Sequence, residues 1–259
     1  MNTARPIFVI DTCIGGLSVV KSLHAAGRVS NVVFVADYAV NPLGIKSAKE
    51  IADVVQRWLT MAAQHSDTAV IACNTLSVHY QRFSETRECS TGPGQVVSMV
   101  DCFERMVNRE AERLADRKVL VIGTAFTASQ PVYSDILQDA LPRQVVTVAA
   151  TDLERSIARF EPLDSAARPL SDAGLPEAIE KTDVAILACT CFPLIRAELE
   201  LRFPHVTFLD PGNYCDELLP QSASQTDLEL QIRVTGDVVA PSQVTQFAKA
   251  YLCNRSVDS

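Results

Sequence analysis

Two cysteines, Cys73 and Cys189, each follow a short uncharged apolar run and precede small polar residues. The two runs, 68–72 and 184–188, lie 116 positions apart. A strand buried on both faces has this composition, and the side chains at its carboxyl end point into a ligand crevice. Thiols on opposite walls of one pocket suit a reaction that removes a proton from one face of a carbon and replaces it on the other. We therefore predict that both cysteines are catalytic.

Polar residues next to the two cysteines strengthen this interpretation. Asn74 and Thr75 follow the first cysteine and Thr190 follows the second, and their side chains suit the binding of a carboxylate or an ammonium group. Both cysteines are expected where helices begin, and helix N-termini lower the pKa of a thiol. A single cysteine after a strand is more often a small buried apolar residue. The duplicated context favours a functional role.

Two turns have both structural and functional interpretations. The segment 11–16, with Gly15 and Gly16, follows a predicted strand, so it either lets a ligand approach the backbone or forms an ordinary turn with Asp11 as helix N-cap. The segment 123–129 offers hydroxyl groups after another strand, and Thr127 or Ser129 as a helix cap is the alternative there.

Apolar strand-like runs alternate with amphipathic stretches along the chain, a pattern that predicts an α/β fold with parallel sheets. The clearest helix follows Ser47, which has capping-box spacing to Glu50. Predicted strands are 7–10, 32–36, 68–72, 96–100, 118–122, 145–149, 184–188, 206–209 and 228–234. Predicted helices are 16–26, 47–64, 102–115, 129–140, 174–181, 192–202 and 242–252.

A second internal similarity points to two related halves. Residues 8–12 resemble residues 120–124, an offset of 112 that is close to the offset between the cysteines. We therefore predict two pseudo-symmetric α/β domains with the active site at their interface. The expected boundaries are 1–96 plus 209–259 for the first domain and 97–208 for the second.

Composition excludes several classes of function. The 259 residues carry a net charge of −8, which argues against a nucleic-acid-binding face. Apolar runs are too short to cross a bilayer and no signal peptide is evident, so we expect a cytoplasmic protein with no membrane partner. The eight cysteines are then expected to be reduced.

A metal site is the rival use of the thiols. Cys13, Cys73, Cys189 and Cys191 all belong to segments that should meet at one crevice. Cys-x-Cys is not a usual zinc spacing and no pair of histidines lies near it, so we expect no metal. A serine hydrolase is not indicated either, because no nucleophile-elbow motif is present.

Taken together, these motifs resemble the aspartate/glutamate racemase superfamily and its glutamate racemase branch in particular. The opening 11–18 is similar to that family's Asp-Ser-Gly-x-Gly-Gly-Leu-Ser, and 41–47 is similar to its Pro-Tyr-Gly-x-Lys-Ser loop. Residues 72–75 match its first cysteine motif. Residues 189–190, followed by Pro193 and Leu194, resemble the second.

The resemblance implies a cofactor-independent racemase of an acidic amino acid. In that family two cysteines work as thiolate base and thiol acid, which correspond here to Cys73 and Cys189, with Asp11 beside the first. It implies that Thr12 and Thr190 hold the amino group of the substrate. The carboxylate-binding residues that it implies are Leu43, Gly44, Asn74, Thr75 and Thr124. It further implies a small-molecule substrate, a homodimer and a role in cell-wall peptidoglycan biogenesis.

Several positions depart from the family pattern, and all of them cluster at the inferred pocket. Cys191 replaces a histidine, Cys13 replaces a glycine and Leu43 replaces a tyrosine. The family's glutamate near the second cysteine corresponds to Glu154 or Glu161. Cys189 without a neighbouring imidazole is expected to be a weaker base. Two alternatives therefore stay open: a relative with different chemistry (a dicarboxylate isomerase or decarboxylase) and a non-catalytic paralogue that binds a ligand or a protein.

Overall fold

The protein contains two parallel β-sheets whose faces are covered by helices. The computed structural model describes residues 5–41, 43, 46–85, 92–161, 170, 172, 174–220 and 227–253. Within these residues, no helix has both the length and the apolar character that crossing a bilayer demands. The predicted α/β class with parallel sheets is confirmed.

The first sheet has five strands in the order β4-β3-β1-β2-β9. Every neighbouring pair is parallel. Its strands are β1 (Ile7–Asp11), β2 (Asn31–Asp37), β3 (Thr68–Ile71), β4 (Gln95–Ser98) and β9 (Glu229–Thr235). The central strands are apolar and buried throughout most of their length, because helices cover both faces of the sheet.

The second sheet has four strands in the order β6-β5-β7-β8, again all parallel. Its strands are β5 (Lys118–Gly123), β6 (Gln144–Ala149), β7 (Val184–Leu187) and β8 (Thr207–Leu209). This order repeats that of the first sheet, with β5 to β8 in the places of β1 to β4 and β9 as an added edge. In each sheet the chain reverses its direction of travel between two adjacent central strands, β1 and β3 in one and β5 and β7 in the other. Such switch points form the ligand crevices of open parallel sheets.

The helices connect and cover these strands. They are α1 (Leu17–Ala25), α2 (Ala48–His65), α3 (Asn74–Glu85), α4 (Met99–Arg109), α5 (Ala111–Leu114), α6 (Ala125–Ser129), α7 (Val132–Gln138), α8 (Thr151–Ala158), α9 (Leu175–Glu180), α10 (Arg196–Arg202) and α11 (Pro241–Cys253). Short 3₁₀ segments occupy Tyr38–Val40, Phe192–Ile195 and Pro211–Leu218.

Local sequence signals explain where individual elements begin. The predicted capping box is present at α2, where the hydroxyl of Ser47 accepts from the Glu50 backbone and the Glu50 carboxylate accepts from the Ser47 backbone. A second capping box, between Ser98 and Asp101, ends β4 and starts α4. The strand predicted over 96–100 is therefore wrong at its end, because residues 99 and 100 are already helical.

Three helices, α3, α6 and α8, were not delimited from the sequence, since the predicted helix 129–140 meets α6 only at its last residue. The domain boundaries at 96 and 209 stay a prediction. β9 belongs to the first sheet, where all seven of its residues pair with β2.

Candidate active site

The two cysteines occupy equivalent places in the two sheets. Cys73 lies between the end of β3 and the start of α3, and Cys189 lies just beyond the end of β7. Both strands border a switch point, so each thiol lies at the carboxyl edge where side chains converge. The expectation that a helix begins at each cysteine needs one adjustment. After Cys189 the chain first forms a 3₁₀ turn containing Pro193, and α10 begins at Arg196.

A single cavity of about 760 Å³ contains both thiols and lies between the two sheets. Its walls come from both halves of the molecule. The lining residues are Asp11, Thr12, Cys13, Tyr38, Asn41, Leu43, Cys73, Asn74, Thr75, Thr124, Ala125, Phe126, Thr127, Thr151, Glu154, Arg155, Ala158, Arg159, Cys189, Thr190 and Val238. The cavity thus brings together most of the residues that the sequence singled out.

Both cysteine side chains are free thiols that retain a small exposed surface, 7% for Cys73 and 8% for Cys189. Burial raises the pKa of Cys73 well above its ordinary value, and the neighbouring Asp11 carboxyl adds to the increase. The backbone N–H of Leu76 and the hydroxyl of Thr12, whose Oγ1 lies 3.7 Å from the Cys73 Sγ, act in the opposite direction. Burial therefore favours the thiol form of Cys73, with donors in place to stabilise the thiolate.

Asp11 connects the two halves at the floor of the cavity. Its Oδ1 accepts a 2.6 Å hydrogen bond from the Thr12 backbone, and its Oδ2 accepts a 2.8 Å bond from the Thr190 hydroxyl. Burial raises the pKa of Asp11 to about 7 despite these bonds. Asp11 is therefore a carboxyl whose charge is easily altered by a ligand, since a bound ammonium group would favour its ionised form. The alternative role as N-cap of α1 does not apply, because Gly16 occupies that position.

Asn74 presents an unused donor inside the pocket. The Tyr133 hydroxyl donates a 3.0 Å bond to its Oδ1, which fixes the orientation of the amide, while its buried Nδ2 has no partner. Buried donors are rarely left unpaired. An acceptor on a ligand, such as a carboxylate oxygen, would satisfy it. The first backbone N–H groups of α3 lie at the same place and favour an anion.

Three of the four remaining predicted carboxylate-binding residues line the cavity. Leu43 and Thr75 are buried in the cavity wall. Thr124 also lines the cavity, and it is the residue that caps α6, because its Oγ1 accepts from the backbone of Thr127. The alternative caps, Thr127 and Ser129, are therefore wrong. Gly44 lies outside the described residues.

Gly15 allows the two halves to approach each other closely. A Cβ at this position would lie 2.6 Å from Thr190 Oγ1 and 2.8 Å from the backbone nitrogen of Cys191. Ser18 strengthens the same contact by donating to the carbonyl of Thr190 at 3.2 Å. The glycine in this turn is thus required by contact between the protein's own halves.

Cys13 and Cys191 meet directly across the same junction. Their sulfurs are 3.3 Å apart, and both side chains are buried. The thiol of Cys191 also hydrogen-bonds to that of Cys189, and Cys191 itself does not line the cavity. Glu154, on α8, reaches this pair, and burial raises its pKa to about 7.

Glu161, the other candidate glutamate, lies elsewhere. It is exposed, accepts a 3.0 Å bond from Ser156 and does not line the cavity.

Sequence reasoning missed one wall of the cavity, which is formed by α8. Thr151, Arg155 and Arg159 all line the cavity from this helix or its end. A signal existed, since residue 151 follows a strand of the second sheet and the buried Leu153 and Ile157 are spaced by four. Asn41, which the sequence analysis placed only within the loop 41–47, donates a 2.8 Å bond to the Thr12 carbonyl.

Comparison with known proteins agrees with this geometry. The family model for Asp/Glu/Hydantoin racemase matches residues 17–214. A glutamate racemase from Sphingopyxis alaskensis is 31% identical over 214 residues, covering 76% of this chain and 74% of that protein.

Two solved structures share the fold. One is a glutamate racemase from Campylobacter jejuni, with a TM-score of 0.76 and 23% identity over 95% of this chain and 98% of that one. The other is Escherichia coli glutamate racemase, solved with L-glutamate and the activator UDP-MurNAc-Ala, with a TM-score of 0.70 and 21% identity over 95% of each chain. Because the family model covers more than half of the sequence and the Sphingopyxis relative exceeds 30% identity, the chain belongs to the Asp/Glu/hydantoin racemase family.

Proposed function

We propose that this protein is a cofactor-independent glutamate racemase that uses Cys73 and Cys189 as its acid–base pair. The proposal depends on one observation above all: two free thiols, at equivalent switch points of two like sheets, line one cavity. Family membership and the glutamate-bound E. coli relative support the choice of substrate.

In the proposed reaction one thiolate removes the α-proton and the opposite thiol returns a proton to the other face. The two roles exchange when the other enantiomer binds, because the reverse reaction must pass through the same transition states. Positioned acid–base groups of this kind contribute roughly 10²- to 10⁴-fold each to the rate. Stabilisation of the carbanionic intermediate must supply the rest.

The pocket provides groups for that stabilisation. Asp11, with its pKa near neutrality, would hold the substrate ammonium and become fully ionised beside it. The unpaired Nδ2 of Asn74 and the first N–H groups of α3 would bind a carboxylate. Thr12 and Thr190 flank Asp11 and would share the amino group.

Because Cys191 replaces the family's histidine, we expect the two directions of racemisation to differ in kcat. The family's histidine would serve as a proton acceptor for Cys189, whereas the Cys191 thiol is buried and already hydrogen-bonded to two other thiols. We therefore propose that Cys189, which has no neighbouring imidazole to accept its proton, acts less readily as the base than a cysteine in the family's Cys-Thr-His motif. The kcat for the enantiomer deprotonated by Cys189 should be the lower of the two, while kcat/KM must be equal in both directions because the enantiomers have the same free energy.

Solvent exchange tests the proposal. The protein is incubated with L- or D-glutamate in D₂O, and both α-deuterium incorporation and enantiomeric composition are measured. We expect exchange with inversion, lost in Cys73→Ala and in Cys189→Ala and retained in Cys253→Ala, which alters an exposed cysteine on α11. Absence of exchange in the wild type, or exchange unaffected by Cys73→Ala, would contradict the proposal.

The same incubation separates the alternatives. A dicarboxylate isomerase or decarboxylase would yield a product other than the enantiomer, and a non-catalytic paralogue would yield none. We further propose a cytoplasmic homodimer that supplies cell-wall peptidoglycan biogenesis, on the strength of the family resemblance. Light scattering of the purified chain tests the dimer.

A further inference from the structure

Cys13, Cys191 and Glu154 form a cluster of three donor groups at the seam between the two halves. One donor atom from each lies within 4.8 Å of the other two. They come from three separate segments: the turn after β1, the turn after β7 and helix α8. None of the three is assigned to proton transfer in the function proposed above, and the two cysteines are departures from the family pattern that touch each other.

The spacing of the cluster fits a tetrahedral cation. Bonds of about 2.3 Å to sulfur and 2.0–2.2 Å to a carboxylate oxygen place two sulfurs about 3.8 Å apart and sulfur and oxygen about 3.5 Å apart. The sulfurs of Cys13 and Cys191 are now 3.3 Å apart, so they need to separate by only about half an ångström. Cys13 and Glu154 line the cavity, which gives an ion an entry path and leaves room for water as a fourth ligand.

We propose that Cys13, Cys191 and Glu154 bind one thiophilic divalent cation of the zinc class. Binding forms two metal–sulfur bonds and one metal–oxygen bond. The two thiol protons pass to solvent, together with the carboxyl proton wherever Glu154 is protonated. No oxidant or reductant takes part. The expectation of no metal came from the spacing of Cys189 and Cys191, whereas the pair that meets in space is Cys191 with Cys13.

Occupancy of this site should inhibit the proposed racemase. Cys13 and Glu154 line the same cavity as Cys189, so an ion held by them would occupy part of the space that the substrate needs. This consequence depends on the proposed function. Binding itself does not, and its test below measures no turnover.

The chain contains a matched control. Cys102 and Cys215 are also buried and their thiols hydrogen-bond to each other. Among the described residues no third donor group joins that pair to complete a cluster of three. If two adjacent thiols were enough to bind a thiophilic metal ion, both pairs would bind it. If the third donor group is required, only the cluster at the seam binds the ion.

The experiment titrates Cd²⁺ or Co²⁺ into the full-length reduced protein under anaerobic conditions. Thiolate-to-metal charge-transfer absorption and proton release into a weakly buffered indicator are recorded together. We expect saturation at one ion per chain, with at least two protons released per ion. Cys13→Ser and Cys191→Ser should lose the band, Glu154→Gln should require more metal to reach the same absorbance, and Cys102→Ser and Cys73→Ser should match the wild type.

Two further variants guard against misfolding. Cys13→Gly and Cys191→His restore the residues of the family pattern, and both should remain folded by circular dichroism. The charge-transfer band should be absent in Cys13→Gly. In Cys191→His, which keeps one of the two sulfur ligands, the band should be much weaker. The proposal is overturned if the wild type shows no band, if the band survives Cys13→Ser and Cys191→Ser, or if Cys102→Ser removes it.

Discussion

The contact at Gly15 makes a quantitative prediction about how the two halves hold the active site. In Gly15→Ala the new Cβ would lie 2.6 Å from Thr190 Oγ1 and 2.8 Å from both the Cys191 nitrogen and the Thr190 carbonyl carbon. The backbone of Gly15 is outside the left-handed region, so alanine adds no conformational strain of its own. The substitution therefore acts only through a steric clash that pushes the two halves apart.

The energetic cost of this steric clash follows from these distances. Two of the contacts are to backbone atoms, which must move by about 0.6 Å to reach the 3.4 Å at which ordinary van der Waals contact begins. Overpacking of this kind costs about 1–3 kcal/mol of unfolding free energy. The displaced segment carries Thr190, which donates to Asp11, and it adjoins Cys189. A misplacement of about 1 Å can cost about 10²-fold in rate, so we expect kcat to fall about 10- to 100-fold.

Two glycine variants provide the controls. In Gly94→Ala the new Cβ meets only the Asp67 carbonyl oxygen at 3.6 Å, so stability and kcat should both be unchanged. Gly174 has a φ of +80° and nothing within 4 Å, so Gly174→Ala should cost about 1–2 kcal/mol through backbone strain while leaving kcat intact. Gly174→Ala therefore shows whether a loss of stability alone, without a displaced active site, lowers kcat.

The assay combines urea unfolding with initial rates of glutamate racemisation at saturating substrate. Gly15→Ala should lose both stability and kcat, Gly174→Ala only stability and Gly94→Ala neither. If Gly15→Ala keeps its kcat within about threefold and its unfolding free energy within about 0.5 kcal/mol, the close approach of the halves is not what positions the site.

Three further predictions concern the buried polar groups of the cavity. Burial raises the pKa of Asp11 from 3.8 to about 7, so the stability linked to its protonated form is complete below pH 3.8 and is lost as the pH rises through about 7. Urea titrations should show up to about 4 kcal/mol of that loss, and Asp11→Asn should reduce the pH dependence to the part that Glu154 and Asp210, whose pKa values burial also raises, contribute. Tyr133→Phe leaves the Oδ1 of Asn74 unpaired, so it should cost about 1–3 kcal/mol in unfolding free energy and raise KM for glutamate. Because burial raises the pKa of Cys73, kcat/KM for glutamate should still be increasing at pH 9, and equally so for both enantiomers, since these have the same free energy. Thr12→Ala, which removes a hydroxyl 3.7 Å from the Cys73 sulfur, should shift the pH profile further upward, and an unchanged profile would contradict the role given to that hydroxyl.

The parts of the fold that the sequence predicted well are those set by short-range patterns. Uncharged β-branched runs marked the central strands to within two residues, because a strand buried on both faces cannot contain charge. The capping box at Ser47 located α2 for a similarly local reason. The sequence identified the two cysteines because similar local sequences around them predict equivalent positions in the fold. The two sheets have equivalent strand orders, and the cysteines follow equivalent strands.

The parts that were missed depend on contacts between distant segments. Cys13 and Cys191 are 178 residues apart, and nothing near either of them indicates that their sulfurs touch. The same holds for Gly15, for which the sequence left open either the approach of a ligand or an ordinary turn, whereas its close neighbour is Thr190. Helix α8 was missed because Leu153 and Ile157 are a single pair of large apolar residues at helical spacing, which is a weak signal.

The place of β9 has a consequence for how the chain is made. All seven residues of β2 pair with β9, so residues 31–37 have as their partners residues 229–235, which come much later in the sequence. On the ribosome, β2 therefore stays an unpaired apolar edge of the first sheet until residues 229–235 have emerged, and such an edge is a template for aggregation. Chains truncated before Glu229 should accumulate as insoluble protein, however complete their catalytic residues are.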